Sequence, residues 1–400
     1  ALKVLIFEYA TALGLENPEF LLEGRAILEG LLEDFNKIKN DFMFELNNDN
    51  ALFDNKNQEH TRELLKDFDG FEVSYLISEK FLNQKYIDKW EFCRPVIMNN
   101  DLDNDQSLEY WLENNISNFD ACIFMAAEEN LELYKLTHII ENKGVSVLAP
   151  TSEAVLLCSD KLKTYQHLKK SFIDDSPLIN TYTINMSCFN QESVYGDDIT
   201  DEFFNKYSPL FDHNSKMVIK PADGVACQGI KILKSFVELV DALKSMKTSL
   251  PYILLQKFVE GQPCSVSLIS DGVNAIPLSL NLQKIKFDEN GFEYGGGQVP
   301  WDHPLKDEAL EIAKNAVESI EGLKGYVGVD LILSDRVYLL EINSRLTTPY
   351  IALRILSNQN LALVIIKSVQ GQIPEKLDIC GCIEFQKGTD KMNIIKKINH

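Results

Sequence analysis

Apolar runs and amphipathic stretches alternate along the first 150 residues of the chain. Short uninterrupted apolar runs predict buried strands, and apolar residues at helical spacing predict helices. Strands that alternate with helices predict a parallel sheet with helices on its faces, and therefore an α/β domain over residues 1–150. The predicted strands are Lys3–Tyr9, Glu72–Ile77, Ala121–Met125 and Val145–Leu148, and the predicted helices are Glu19–Asn36 and Asn130–Asn142.

The pattern changes after Pro150, which marks a domain boundary. Residues 151–153 are typical of a helix start, and the helix that follows carries Lys161. A polar, acidic stretch from Asp174 to Asn214 has little periodicity, so it predicts a long surface excursion. Beyond it the predicted strands are Met217–Lys220, Ile230–Leu233, Tyr252–Phe258, Ser265–Ser270, Pro277–Asn281, Gly328–Leu333 and Val337–Ile342, and the predicted helices are Phe236–Ser249, Lys306–Glu321 and Pro349–Ser368.

The composition is that of a folded globular protein with an acidic surface. Among 400 residues, 39 Lys and Arg stand against 60 Asp and Glu, which gives a net charge of −21. Such a surface repels nucleic acid and anionic lipid, so neither is an expected partner. No apolar run approaches the roughly 20 residues of a membrane helix, and the N-terminus predicts a strand rather than a signal peptide. The scattered cysteines lack the spacing of a zinc site or disulfide framework, which favours a reducing cytoplasm.

Two acidic residues in the last third of the chain predict a metal site. Asp330 and Glu341 lie about equally far from a predicted turn at Ser334–Arg336, so they would oppose each other across an antiparallel hairpin. Asn343 follows two residues after Glu341 and would project to the same face, as would Arg345. Facing carboxylates repel unless a cation separates them, and two carboxylates with an amide oxygen suit Mg²⁺ or Mn²⁺. A purely structural carboxylate pair is the alternative.

Two earlier segments could hold a nucleotide, although neither is specific alone. Lys220 ends a predicted strand and precedes a small-residue loop at residues 223–229. A lysine supplies positive charge to phosphate oxygens, and glycines let backbone N–H groups approach them, but a plain turn explains the same residues. An apolar strand that runs through Gln256 into Gly261 can present backbone groups to an adenine edge. A plain strand end is again the alternative.

Taken in order, these segments resemble the ATP-grasp superfamily of carboxylate–amine ligases. The resemblance implies that two α+β lobes hold ATP beside the N-terminal α/β domain. It divides the chain into residues 1–150, residues 151–257 with a small lid lobe near 216–250, and residues 258–400. The shared order is Lys161, then Lys220-Pro221 with the glycine loop, then Gln256-x-Phe258-x-Glu260-Gly261, then Asp330 with Glu341-x-Asn343-x-Arg345.

The same resemblance implies a role for each motif. Lys161 and Lys220 would bind the α and β phosphates of ATP, and Lys220 and Arg345 would act in catalysis. Residues 257–259 would line the adenine pocket, and Glu260 would lie near the ribose. The implied metal ligands are Asp330, Glu341 and Asn343, and the implied ATP-binding residues are Lys161, Lys220, Asp223, Gly224, Gly229, Gln256, Lys257, Phe258, Val259 and Glu260.

Within the superfamily, softer patterns resemble the archaeal tyramine–L-glutamate ligases of methanofuran biosynthesis. The resemblance implies that ATP phosphorylates the γ-carboxylate of L-glutamate to an acyl phosphate. The amine of tyramine would then attack, with release of ADP and phosphate. The patterns are Phe7–Ala12, Glu23-Gly24, Gly261–Ser267, Leu280–Gln283 and Glu341–Tyr350.

Other functions remain open at this point. Another amino-acid or amine ligase of the same fold, or a carboxylase that phosphorylates bicarbonate, would carry similar motifs. A non-catalytic nucleotide-binding module is disfavoured because the acidic and arginine motif is intact. The expected partners are a small amino acid and a small amine, and the oligomeric state, including a homodimer, stays open.

The contact to the γ-phosphate is not defined by the sequence. Many ATP-grasp ligases carry an arginine two residues before the first metal aspartate, where this chain has Gly328. Arg345 or Lys284 would then have to supply that contact. Residues 292–298 form a glycine-rich segment that would be either a mobile loop over the acyl phosphate or a plain long turn.

The substrate contacts are predicted only from sheet topology. Ligands of parallel sheets lie beyond the carboxyl ends of the strands. Glu8, Tyr9 and Glu128 follow such ends, so they are candidate substrate contacts, with solvated loop residues as the alternative. Lys284 is a further candidate. His303 would be either a base for the incoming amine or a solvated loop histidine.

Overall fold

The structure is a computed structural model in which the strands form three sheets, of five, four and seven strands. Gly224 and its neighbours up to residue 228 lie outside the described residues. No helix in the described part of the chain is long and apolar enough to cross a bilayer. The described residues are 2–16, 18–47, 71–83, 88–98, 108–188, 201–223, 229–246, 248, 250–288 and 291–398.

The N-terminal sheet is parallel, with strand order β3-β2-β1-β4-β5. Along β1, Val4 and Ile6 pack in the same core as helix α2, and Leu5 and Phe7 pack in the core of α3 and α4. The strand is apolar from Val4 to Phe7 because helices cover both faces of the sheet. The elements are β1 Leu2–Glu8, α1 Tyr9–Leu13, α2 Pro18–Asn47, β2 Phe71–Ser78, β3 Cys93–Met98, α3 Leu108–Asn115, β4 Ala121–Met125, α4 Glu132–Asn142 and β5 Ser146–Val147.

A four-stranded antiparallel sheet follows, with strand order β6-β9-β7-β8. Met217 and Ile219 pack against Leu239 and Leu243 in one apolar core. Alternation along the strand turns Lys220 to the opposite face. The elements are α5 Ser152–Cys158, α6 Lys161–Ser171, β6 Thr181–Asn185, α7 Asp201–Tyr207, β7 Met217–Pro221, β8 Lys231–Leu233, α8 Phe236–Ser245 and β9 Tyr252–Lys257.

The third sheet is antiparallel, with strand order β14-β13-β10-β11-β12-β15-β16. Helix α9 packs on one face, and Phe385 on the other face joins the core that contains α2, α10 and α11. The predicted class, a parallel α/β sheet followed by a two-lobed α+β fold, is confirmed. The elements are β10 Gln262–Asp271, β11 Ala275–Asp288, β12 Gly291–Val299, α9 Lys306–Glu318, β13 Lys324–Leu333, β14 Val337–Asn343, α10 Tyr350–Leu356, α11 Leu361–Val369, β15 Cys382–Lys387 and β16 Met392–Ile398.

A buried polar network joins the N-terminal helix α2 to the third sheet's helices. Asp34 accepts a hydrogen bond of 2.7 Å from the Tyr350 hydroxyl and bonds of 3.0 and 2.7 Å from Arg354. Gly30 lets the two helices approach, since a Cβ there would lie 2.9 Å from Arg354 Cδ. Helix α2 is therefore fixed against the segment that follows the Glu-x-Asn-x-Arg motif.

Three predictions about local structure were wrong. The stretch from Asp174 to Asn214 is not a surface excursion in its described part, because Thr181–Asn185 pairs with β9 in the second sheet and Ile184 and Tyr207 are buried in the core of that sheet. Residues 349–368 form two helices, because Ser357 is extended and Asn360 begins α11 by accepting from the Leu363 N–H at 3.2 Å. The glycine-rich segment at 292–298 lies in strand β12 rather than in a loop. Gly296 has φ of +138°, and a Cβ there would lie 2.2 Å from the Phe385 carbonyl oxygen. The glycines therefore allow close strand pairing.

Candidate active site

The predicted carboxylate pair lies on the hairpin of β13 and β14. Asp330 is the register partner of Glu341, as the sequence predicted, and the turn closes through Ser334 N–H and the Arg336 carbonyl. Asn343 Nδ2 donates to Asp330 Oδ2 at 3.0 Å. The sequence analysis missed Gln283, whose Nε2 donates to Asp330 Oδ1 at 3.0 Å from strand β11.

The two carboxylates have opposite pKa shifts. Burial, with the charge of Glu341, raises the pKa of Asp330 to about 7, although hydrogen bonds from Asn343 and Gln283 oppose this. Burial would also raise the pKa of Glu341, but the charges of Lys161 and Lys220 hold it below its ordinary value. Glu341 therefore carries the negative charge of the pair, and a further cation would favour the ionised form of Asp330.

Both predicted phosphate lysines lie beside this pair. Lys161 Nζ is 3.4 Å from Glu341 Oε2. Asp160 caps helix α6, and the Lys161 N–H donates to the Ala222 carbonyl at 2.8 Å, which ties the helix start to the end of β7. Lys220, at the end of β7, is 6% exposed. Burial, with the charge of Lys161, lowers the pKa of Lys220 to about 8.

The donor set fits a hard divalent cation. Asp330, Glu341 and Asn343 supply carboxylate and amide oxygens, which are the ligands that Mg²⁺ and Mn²⁺ prefer. Within the described stretches, no group of three or more His, Cys, Asp or Glu side chains could hold a metal ion. An ion on these three residues would therefore complete its coordination with phosphate oxygens and water.

Arg345 lies against a residue from the N-terminal domain. Its Nε donates to Glu128 Oε1 at 2.8 Å. Glu128 is 6% exposed, and its second oxygen, Oε2, is buried without a hydrogen-bond partner in the part of the chain that the structure describes. Glu128 follows the carboxyl end of β4, as the topological prediction requires. The contact joins Arg345 to the segment that follows β4 of the N-terminal sheet.

Gly328 occupies the position where many superfamily members carry an arginine. A Cβ on Gly328 would lie 2.8 Å from Thr347 Cγ2. The space that a side chain would need is therefore filled by the segment after Arg345. Position 328 therefore has no side chain that could contact the γ-phosphate of ATP.

The two candidate substrate residues at the end of β1, Glu8 and Tyr9, make contacts within the N-terminal part of the fold. The Glu8 carboxylate caps helix α1 by accepting from the N–H groups of Ala10 and Thr11 at 3.0 and 2.7 Å. It is 5% exposed, and a Cβ on Gly24 would lie 2.8 Å from its carboxyl carbon. Tyr9 packs on the apolar core of the N-terminal sheet. The hydrogen bonds of the Glu8 carboxylate are therefore those of a helix cap.

Lys284 does not join the carboxylate pair. Alternation along β11 turns it to the face opposite Gln283, and there it forms an ion pair with Glu384. His303 is also engaged locally, since its Nδ1 accepts from the Leu305 N–H at 3.1 Å. Neither residue is therefore part of the site that we propose below.

The predicted adenine residues lie where the second and third sheets meet. Residues 257–259 line a cleft of about 570 Å³ together with Tyr182 and Tyr338. The Lys257 side chain is on the sheet face opposite Lys220, so Lys257 could contact a nucleotide on the Lys220 face only through its backbone. Gln256 is on the Lys220 face and donates to Thr181 Oγ1 at 2.7 Å.

The remaining predicted ATP residues lie at the margins of the site. Asp223 is 6% exposed and accepts a bond of 3.4 Å from Thr248. Gly229 has φ of +70°, and a Cβ there would lie 2.9 Å from Pro221 Cγ. Glu260 is exposed, and its carbonyl accepts from Ser334 Oγ at 2.6 Å. Gly224 lies outside the described residues.

Comparisons with known proteins identify the family of this chain. A family model described as an ATP-grasp domain matches residues 158–349. The chain is 30% identical over 371 residues to the tyramine–L-glutamate ligase of Methanocaldococcus fervens. The matched region covers 92% of this chain and 94% of that ligase. The chain is 31% identical over 370 residues to the same-named ligase of Methanocaldococcus jannaschii, with coverages of 92% and 90%. A solved ATP-grasp superfamily protein from Archaeoglobus fulgidus matches over 100% of both chains, with a TM-score of 0.58 and 22% identity.

Proposed function

The chain belongs to the ATP-grasp superfamily and is an ATP-dependent carboxylate–amine ligase, and we propose that it joins the γ-carboxylate of L-glutamate to tyramine. The observation that carries the site assignment is the facing of Asp330 and Glu341 beside Lys161 and Lys220. The substrate assignment rests on similarity to the two Methanocaldococcus ligases over 92% of the chain. The reaction would take place in the cytoplasm, between small molecules.

In the first step, the γ-carboxylate oxygen of glutamate attacks the γ-phosphorus of ATP, and ADP leaves. Mg²⁺ or Mn²⁺, held by Asp330, Glu341 and Asn343, would supply positive charge to the phosphate oxygens. Lys161 and Lys220, which lie beside the carboxylate pair, would bind the same phosphates. Such a step needs positioning and charge neutralisation more than covalent help from the protein.

In the second step, the neutral amine of tyramine attacks the acyl phosphate carbon, and phosphate leaves. Arg345 is the residue that we assign to the developing charge on the acyl phosphate. The Glu128 contact orients its guanidinium, so little reorganisation is needed when the charge develops. The proposed division is an N-terminal domain of residues 1–150, which carries Glu128, and the lobes 151–257 and 258–400.

A substrate panel tests this proposal. Purified protein with ATP and Mg²⁺ is offered a set of amino acids against a set of amines, scored for phosphate release and product mass. We expect γ-glutamyltyramine as the preferred product, with ADP and phosphate in equal amounts. A preference for another pair would indicate a different amino-acid ligase, and bicarbonate-stimulated ADP release without an amine would indicate a carboxylase.

A further inference from the structure

The start of helix α6 is held against the second sheet at two points. The Lys161 N–H donates to the Ala222 carbonyl at 2.8 Å, just beyond the end of β7. The Tyr252 hydroxyl, at the start of β9, donates to Asp160 Oδ2. The ends of two strands therefore hold the residue that carries one of the phosphate lysines and the residue before it.

The Asp160 carboxylate uses a different oxygen for each of its two roles. Oδ1 accepts from the N–H groups of Leu162 and Lys163 at 3.0 and 3.1 Å, which caps α6. Oδ2 accepts from Tyr252, while Lys163 Nζ lies 3.9 Å from this oxygen on an exposed side chain. Asp160 is 4% exposed, so within the described residues Oδ2 depends on the tyrosine hydroxyl for its hydrogen bond.

Tyr252 suits this contact by its protonation state and by its place on the sheet. Burial raises the pKa of its hydroxyl, and the hydrogen bond to Asp160 and the charges of Asp160 and Asp223 raise it further, so it remains a donor. Lys220 pairs with Leu254, and Tyr252 lies two residues before Leu254. Tyr252 is therefore on the face of the sheet that carries Lys220.

Lys161 extends from this helix start toward the carboxylate pair, with its Nζ 3.4 Å from Glu341 Oε2. Lys220 belongs to the second sheet, so the two lysines can bind one phosphate chain only if α6 keeps a fixed place relative to β7. We propose that Tyr252 is a positioning residue, which acts through Asp160 to hold Lys161 where it meets the phosphates of ATP. This inference rests on the phosphate contact in the proposed function, and it is independent of which amino acid and amine are joined.

The expected effect of removing the hydroxyl is a partial loss of the Lys161 contact. Loss of a charged hydrogen bond corresponds to roughly 10- to 150-fold in affinity, so Lys161→Ala sets the upper limit. Tyr252→Phe keeps the aromatic ring and leaves the lysine in place but less well held. We expect it to weaken ADP binding by about three- to tenfold, which is less than the effect of Lys161→Ala.

Two ligands separate a positioning role from a general loosening of the second sheet. ADP carries phosphates that Lys161 would contact, and adenosine carries none. Each is measured with Mg²⁺ as a competitive inhibitor against ATP, for the wild type and for each variant. Tyr252→Phe should weaken ADP and leave adenosine unchanged, whereas a hydroxyl that only supports the fold would affect both ligands alike.

A double-mutant cycle tests whether the effect passes through Lys161. In a Lys161→Ala background, Tyr252→Phe should have no further effect on ADP, because the side chain that it positions is gone. Asp160→Ser supplies a second variant, since serine still caps a helix but has one oxygen, which the cap uses. It should weaken ADP as Tyr252→Phe does, and the two changes together should be no worse than either alone.

Tyr207→Phe is the matched control, because the Tyr207 hydroxyl donates to the Thr183 carbonyl at 2.9 Å beside the same sheet. It should leave the affinities for ADP and adenosine at their wild-type values. If Lys161→Ala leaves ADP binding unchanged, the proposed phosphate contact fails and this inference fails with it. If Lys161→Ala weakens ADP but Tyr252→Phe does not, or if Tyr252→Phe weakens ADP equally in both backgrounds, only the inference is overturned.

Discussion

Replacing Asp330 by Asn should stabilise the metal-free protein while it abolishes turnover. Asn keeps the shape of Asp and removes one of the two facing negative charges. Burial and the Glu341 carboxylate raise the pKa of Asp330 to about 7, against about 3.9 for an exposed aspartate. An ionised Asp330 therefore opposes folding in the absence of a cation.

The magnitude follows from the size of this pKa difference. Each pKa unit corresponds to about 1.4 kcal/mol, so ionised Asp330 costs on the order of 4 kcal/mol at pH 8. The amide can accept only one of the hydrogen bonds from Asn343 and Gln283 without rearrangement, and a lost bond costs about 1 kcal/mol. We expect a net gain of about 2–3 kcal/mol for the variant.

The pH dependence has a defined sign. Because the folded-state pKa is the higher one, the folded protein binds more protons than the unfolded chain between about pH 4 and pH 7. The contribution of Asp330 to stability is therefore lost as the pH rises through about 7. The stability difference between Asp330→Asn and the wild type should be small at pH 4 and largest above pH 7.

Urea unfolding in EDTA, repeated across this pH range, measures the difference. Added Mg²⁺ with ADP should then stabilise the wild type more than the variant, since only the wild type keeps both carboxylates. Asp390→Asn is the control, because Asp390 is exposed on the turn between β15 and β16. A variant less stable than the wild type in EDTA at pH 8, or equal stabilisation of both by Mg²⁺ with ADP, would refute the reasoning.

Three further predictions concern Lys220, the contact between Glu128 and Arg345, and the Asp34 network. Lys220→Ala should raise the ATP requirement roughly 10- to 150-fold, as expected for a charged phosphate contact. Because burial lowers the pKa of Lys220 to about 8, the ATP affinity of the wild type should fall between pH 7 and 9. The Lys220→Arg variant should not show this fall. A parallel fall in both proteins would contradict the assignment. Glu128→Gln should lower kcat with little change in the KM for ATP, and Arg345→Lys should lower kcat about 100-fold. Phosphate release in a single turnover measures both effects. Unchanged rates would remove these residues from the mechanism. Asp34→Ala should destabilise the protein by about 3 kcal/mol because it removes the buried partner of Arg354 and leaves only the longer ion pair with Glu33. An unchanged urea midpoint would show that the network contributes little.

Local pairing in the third sheet followed from the sequence because it depends on short-range geometry. Counting from the turn at Ser334–Arg336 places Asp330 and Glu341 at nearly equal distances, and an extra residue in β14, Leu340, brings the two into register. Gln283 could also have been predicted from strand geometry. Ser265 pairs with both Asp330 and Asn281, and Gln283 lies two residues after Asn281 on the same face of β11. Lys284 was a candidate for the contact that the missing arginine at Gly328 would make, but alternation along β11 places it on the face opposite Gln283.

Contacts between distant segments could not be predicted in this way. The Arg345–Glu128 bond joins residues 217 positions apart, and the Glu23–Thr348 bond joins residues 325 positions apart. Both depend on how helix α2 and the N-terminal sheet pack on the third sheet. The glycines of β12 were misassigned for a related reason, because their role is the close approach of the neighbouring strand β15.

The central claim is that the carboxylate of the amino acid is phosphorylated before the amine attacks. Transfer of ¹⁸O from the γ-carboxylate of labelled L-glutamate tests it most directly, with tyramine and ATP present and the released phosphate analysed by mass spectrometry. The proposed mechanism predicts one ¹⁸O atom in each phosphate and unlabelled ADP. Phosphate without label, or release of AMP and pyrophosphate, would contradict it.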